Sequence, residues 1–236
     1  MLKWAILSGI EGNLVAYEAV LQDIHTQPQP VTDLFILGDV IDYRPEGLAV
    51  IERIQKPRTG ELTPQVCRGW WEEQYLLIHG FLAETMPNPV IAKYGAATAK
   101  AMWDQMPESV VQWMAELDFA FVELDCLLVH GSSLSTTEEL TPESSPLQIL
   151  DRFVRSNVNR LFCGRSGRQF HLQVQGGSVS SEVVRMDGSV AKQTDRSDDR
   201  ALIGVGNVGR NPHCATYTLY YPSTDKLEFR WVAHKY

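Results

Sequence analysis

The stretch Trp4-Ala5-Ile6-Leu7-Ser8-Gly9-Ile10-Glu11-Gly12-Asn13 decides the fold class. The apolar run Lys3–Ser8 breaks into a polar, glycine-bearing turn. Leu14, Ala16, Tyr17, Val20, Leu21 and Ile24 then follow at helical spacing across Asn13–His25. The same order comes again: the apolar run Asp33–Leu37 ends at Gly38-Asp39, a helical pattern occupies Gly47–Ile54, and Val66-Cys67 closes a weaker third strand. Strand, helix and strand joined by short turns imply parallel strands linked by helical crossovers.

Working outward, Glu72–Leu117 reads as mostly helical, punctuated by Pro87, Pro89 and Pro107. Strand signals follow at Phe119–Leu124, Leu127–His130 and Arg160–Cys163, with a helix at Leu147–Arg155. The polar segment Ser132–Pro146 is expected to be a mobile surface loop. Beyond Arg168, short β-like stretches at Phe170–Val174, Glu182–Met186, Leu202–Val205, Ala215–Tyr221 and Leu227–Val232 suggest a meander, with Asp187-Gly188 as a hairpin turn. Lys192–Arg200 is expected to be a solvated loop. With no repeat and no linker, residues 1–236 are expected to form one domain.

Composition narrows the function classes. A formal charge of −8 over 236 residues argues against a general grip on nucleic acid or on anionic lipid. The apolar start ends at Leu7, too short for a signal peptide or a span, and the expectation is a cytoplasmic protein. Cys67, Cys126, Cys163 and Cys214 form no C-x-x-C pair and are expected to be thiols. Gly204–Gly209 spells G-x-G-x-x-G, yet Asn211-Pro212 and a strand signal follow where a dinucleotide site needs a helix. His25, His79, His171, His213 and His234 are scattered, and no G-x-S-x-G elbow supports Ser132 or Ser133 as a nucleophile.

Four strand ends run into glycine-containing polar turns, where ligands sit in α/β sheets: 8–13, 38–39, 129–132 and 163–165. With these turns in this order, the chain resembles the calcineurin-like metallophosphoesterases, in particular their small bacterial phosphodiesterase-like branch. The family's D-x-H-G-N block falls on Gly9-Ile10-Glu11-Gly12-Asn13, its G-D on Gly38-Asp39, and its G-N-H-[DE] on Gly69-Trp70-Trp71-Glu72. Its H-G-S falls on His130-Gly131-Ser132, its G-H-[TS]-H on Gly164-Arg165-Ser166-Gly167, and its G-S-V-G turn on Gly206-Asn207-Val208-Gly209. The resemblance spans nearly the whole chain and implies a four-layer α/β/β/α sandwich of mixed sheets flanked by helices.

The resemblance also implies two divalent ions bridged by an Asp, the arrangement that drives hydrolysis in the family. Residue by residue, the first Asp ligand is replaced by Gly9 and the first His by Glu11. The bridging Asp is retained as Asp39 and one His as His130. The Asn ligand becomes Trp70, whose indole N–H only donates. The last two His ligands become Arg165 and Gly167, and the His that meets the transition state becomes Trp71.

No metal is expected, and the degenerate site positions are Glu11, Asp39, Trp71 and His130. Arg165 is expected to neutralise Asp39, Glu11 or both, with Trp70 and Trp71 filling the remaining volume. Arg165, Arg168 and His130 are candidates for an anion pocket. The expected function is a non-catalytic binding or regulatory role toward a phosphorylated small molecule or a protein partner. The alternative is a metal-dependent phosphoesterase with a mononuclear manganese, iron or zinc site on Glu11, Asp39 and His130.

Overall fold

The computed structural model describes residues 2–83, 88–174, 178–184, 190–196 and 199–235. Its first sheet runs β12-β11-β1-β2-β3, built from β1 (Trp4–Leu7), β2 (Asp33–Leu37), β3 (Gln65–Cys67), β11 (Cys214–Tyr221) and β12 (Lys226–Ala233). The three early strands are parallel, while β11 and β12 are antiparallel additions. The second sheet runs β4-β5-β6-β10-β7, from β4 (Ala120–Glu123), β5 (Cys126–Val129), β6 (Arg160–Cys163), β7 (Gln169–Val174) and β10 (Arg200–Val205).

The side-chain alternation of β1 explains the layering. Ala5 and Leu7 face a helical layer, where they pack with α1 (Leu14–His25), α2 (Gly47–Gln55) and α3 (Trp70–Ile78). The helices α4 (Pro89–Tyr94), α5 (Ala96–Gln105) and α6 (Glu108–Glu116) extend that layer. Trp4 and Ile6 face the other way, into a core shared by both sheets with Phe35, Leu128, Phe162 and Ile203. A strand buried on both faces reads as a continuous apolar run, as Trp4–Leu7 does. The outer face of the second sheet is covered by α7 (Pro146–Ser156), whose Ile149 and Phe153 pack on Leu127, Val129 and Leu161. The result is the expected α/β/β/α sandwich. No helix among the described residues is long and apolar enough to cross a membrane.

Three expectations need correction. The C-terminal strands do not form one meander: β7 pairs with β10, β11 returns to the first sheet, and a separate hairpin of β8 (Ser178–Val184) and β9 (Val190–Arg196) lies between β7 and β10 in sequence. Much of Lys192–Arg200 is therefore strand, in β9 and at the start of β10, although its charged composition reads as a solvated loop. The Asp187-Gly188 turn lies outside the described residues.

The third correction concerns residues 132–146, which are anchored rather than free. Ser132, Thr136 and Leu140 are buried, Thr136 bonds Glu73, and Glu138 accepts two bonds from Arg152 at 2.6 Å and one from Gln148 at 2.7 Å. Polar composition marked this segment as a loop, but its polar groups are spent on fixing it.

Candidate functional site

The turns at the carboxyl ends of β1, β2, β5 and β6 converge, as parallel strands require. Gly9 N–H donates to Gly38 O, Glu11 N–H to Asp39 O, and both Gly164 and Arg165 N–H to His130 O, all within 3.0 Å. Glu11 and Asp39 each hold a left-handed φ of 50°, a strained setting that persists only where the surroundings enforce it. Part of that enforcement comes from Glu72, at the start of α3. Its carboxylate accepts from Asp39 N at 2.9 Å, Val40 N at 2.9 Å and Gly69 N at 2.8 Å. Burial, helped by the nearby Asp39 charge, pushes the Glu72 carboxyl up to about 7.

Asp39 is fully buried, and three cationic or N–H groups address it. Trp71 N–H donates to Oδ1 at 2.8 Å, His130 Nε2 lies 3.2 Å from Oδ2, and Arg165 Nη1 lies 3.5 Å from the same oxygen. His130 is fully buried too. Its Nδ1 sits 2.8 Å from the Leu37 carbonyl, which can only accept, so Nδ1 carries a proton. Nε2 then faces a carboxylate, where a bare lone pair would be repelled. Both nitrogens are therefore protonated, and the contact is a charge pair rather than an aligned hydrogen bond.

The pKa directions agree with this assignment. Burial opposes the imidazolium, but the Asp39 carboxylate outweighs it and holds His130 above its usual value. Burial likewise opposes the Asp39 charge, and His130, the Trp71 N–H and Arg165 together hold that carboxyl below its usual range. The Arg165 guanidinium carbon lies 4.8 Å from the Trp70 ring centre, a cation–π contact that fixes the side chain over Asp39. Trp70 meets Trp71 edge-on at 4.6 Å, and Trp71 packs in turn against Tyr43 and Tyr94. Trp71 thus contributes its backbone N–H to Asp39 and its ring to an aromatic cluster.

On the other side of the cleft a loop that sequence reasoning did not single out for the site takes over. A side chain at Gly9 would begin 1.9 Å from Asn207 Nδ2, and one at Gly167 would begin 2.4 Å from Arg210 Nη1. The two positions that lost their side chains are therefore filled from residues 206–210. Arg210 Nε donates to Glu11 Oε1 at 2.6 Å, so Glu11 is paired with Arg210 and not with Arg165. Burial still outweighs that partner and raises the Glu11 carboxyl. The available signal was the proximity of Asn207 and Arg210 to the glycine loop already matched at 206–209.

Arg44 closes the rim, bonding Asp42 at 2.6 Å and the Glu11 carbonyl at 2.9 Å. Arg168 is not part of the cleft: its guanidinium lies on Glu143 at 2.8 Å on the surface. The expected trio of Arg165, Arg168 and His130 is not brought together, because the turn at 164–168 points its two arginines to different acids.

Two divalent ions do not fit this donor set. Asp39 Oδ2 is shared by an imidazolium and a guanidinium, Glu11 is tied to Arg210, and the Glu72 oxygens are held by three N–H groups. The Gly9 and Gly167 positions are filled by an amide nitrogen and a guanidinium nitrogen, both donors with no lone pair to offer. Among the described residues no group of three His, Cys, Asp or Glu side chains is placed to hold a metal ion.

The architecture is the metallophosphoesterase fold. A metallophosphoesterase from Sphaerobacter thermophilus superposes with a TM-score of 0.66 at 21% identity, covering 99% of this chain and 89% of that one. A cold-active protein-tyrosine phosphatase from a psychrophilic Shewanella superposes at 0.50 and 12% identity, covering 100% of this chain and 81% of that one. At such identities the likeness is one of fold. No family model matches the sequence, and no curated protein matches it.

Proposed function

We propose that this protein is a non-catalytic metallophosphoesterase-like protein with a binding or regulatory role. One observation carries the reading. The cations that balance the site's acids are side chains of the chain itself: His130 and Arg165 on Asp39, Arg210 on Glu11, and Arg44 on Asp42. A phosphorylated small molecule or a protein partner is the class of ligand suited to such a scaffold. An anion entering the cleft has to compete with carboxylates already engaging every one of these cations, which favours a protein partner over a free phosphate.

The test is metal analysis of protein purified without chelator, together with hydrolysis of an aryl phosphodiester in added manganese, iron or zinc. The expected result is substoichiometric metal and no turnover above that of the Asp39→Ala variant. Stoichiometric metal, with hydrolysis that Asp39→Ala abolishes, establishes the mononuclear phosphoesterase instead.

A further inference from the structure

The last strand of the first sheet is an open edge, and its residues are arranged to pair with themselves. Among the described residues no strand lies on the outer side of β12. Natural edges of this length are usually shortened, bulged or covered. This one runs eight residues in unbroken register with β11, and it carries Trp231 at 75% exposure and Phe229 at 39%.

The ladder fixes which backbone groups are free. His234 N–H donates to His213 O at 3.1 Å, and this rung continues the β11–β12 register by one residue. Antiparallel rungs alternate, so the even-numbered residues of β12 bond inward to β11. Leu227, Phe229, Trp231 and Ala233 therefore aim their N–H and C=O groups at the open edge.

The side chains alternate as well. Leu227, Phe229 and Trp231 lie on one face, where Leu227 packs into the core between the sheets and Trp231 Nε1 donates to Gln169 at 2.7 Å. Glu228, Arg230 and Val232 lie on the other, with Arg230 on Asp23 of α1 and Val232 against the helical layer.

We propose that β12 is a self-association edge, pairing antiparallel with β12 of a second copy about a two-fold axis through Phe229. In that register Phe229 exchanges both backbone hydrogen bonds with Phe229 of the partner subunit. Leu227 then stands opposite Trp231 of the partner subunit, apolar against apolar. On the helix face Glu228 stands opposite Arg230 of the partner subunit, an attractive pair made twice by the symmetry. Shifting the register by one residue points inward-bonded groups at the neighbour, and shifting it by two sets Arg230 opposite Arg230 of the partner subunit or Glu228 opposite Glu228 of the partner subunit, like charges that oppose those alignments. The occupant is a second copy because the strand complements itself in hydrogen bonding, apolar contact and charge at once.

The test combines sedimentation velocity with a cross-link. The full chain is expected to show a concentration-dependent monomer–dimer equilibrium. Phe229→Pro removes an N–H that is unused within the chain, so it leaves the β11 ladder intact. It deletes two hydrogen bonds at the axis and is expected to raise the dimer Kd by roughly tenfold or more. A far-ultraviolet spectrum and a melting curve like the parent's show that this variant is folded. In a Cys214→Ser background, Phe229→Cys is expected to form a covalent dimer under mild oxidation, because directly opposed residues place their Cα atoms about 5.5 Å apart, within disulfide reach. Leu227→Cys, opposed to the partner's Trp231, is expected to cross-link poorly. A chain that stays monomeric at all concentrations overturns the proposal. So does a dimer that tolerates Phe229→Pro, or one that cross-links through Leu227→Cys as readily as through Phe229→Cys.

Discussion

The two walls of the cleft solve the same problem differently. On the Asp39 wall, a completely buried carboxylate is compensated by a completely buried imidazolium and by an arginine only 22% exposed. On the Glu11 wall, a carboxylate 15% exposed is met by Arg210 at 39% exposure, and the other contacts come from a loop filling space at two glycines. Water reaches both partners at the second wall, but at the first only Arg165. Removing a partner from a buried pair strands an ion, whereas removing one from a half-solvated pair exposes it to water. The Asp39 wall should therefore behave as a structural unit and the Glu11 wall as an adjustable rim.

The largest effect should follow Asp39→Ala. It strands the His130 imidazolium beside Arg165 and deprives Trp71 N–H of its acceptor, so unfolding free energy should fall by about 3–5 kcal/mol in a urea titration. A loss comparable to that of an exposed pair contradicts the contrast between the walls.

The pH profile should separate the walls next. The His130 pKa is raised, so its stabilisation is complete below its unfolded value of 6.5 and is lost as pH rises through the folded value. Glu72 acts in the same direction over a lower window, losing stability between its ordinary 4.5 and about 7. Asp39 is depressed, so its contribution is present above 3.8 and disappears as pH falls through its folded value. Chemical denaturation should therefore show stability declining from pH 5 upward, and His130→Gln should flatten the part of the limb above pH 6.5. A parent profile already flat there implies a neutral imidazole.

Arg165→Met tests the shared part of the buried wall. Asp39 keeps His130 and the Trp71 N–H, and methionine keeps contact with Trp70, so the loss should be about 1–2 kcal/mol. The same variant removes the guanidinium from Asp39 Oδ2, and any gain in divalent-metal binding by calorimetry would identify Arg165 as the group excluding the ion.

What was legible in the sequence follows the same physical divide. The sheet order near β1 and β2 could be read because buried parallel strands are continuous apolar runs ending in glycine turns. Asp39, His130 and Arg165 could be named because each sits in a strand-end turn that matches a block of the family the chain resembles. Asn207 and Arg210 were not, because a side chain that fills the space above a glycine about 200 or 43 positions away leaves no local pattern beyond the glycine turn at 206–209. Arg168 was misplaced for a related reason: the course of the turn at 164–168 decides which acid each arginine meets. The order within residues 132–146 was hidden because Thr136 and Glu138 look the same in sequence whether they face water or bind Glu73 and Arg152.

Arg210→Ala gives the smallest effect and the sharpest reading of the rim. Glu11 loses its 2.6 Å partner, but at this exposure the pair is worth little after solvent screening, and stability should fall by about 0.5–1 kcal/mol. The carboxyl of Glu11, already raised by burial, should move further up once its guanidinium is gone, which carboxyl chemical shifts in an NMR titration would follow. The space above Gly167 opens in the same step, since Arg210 Nη1 is what a side chain there would meet. If the loss instead approaches that of Asp39→Ala, the Glu11 wall is as much a part of the buried framework as its opposite, and the cleft is closed on both sides by charge.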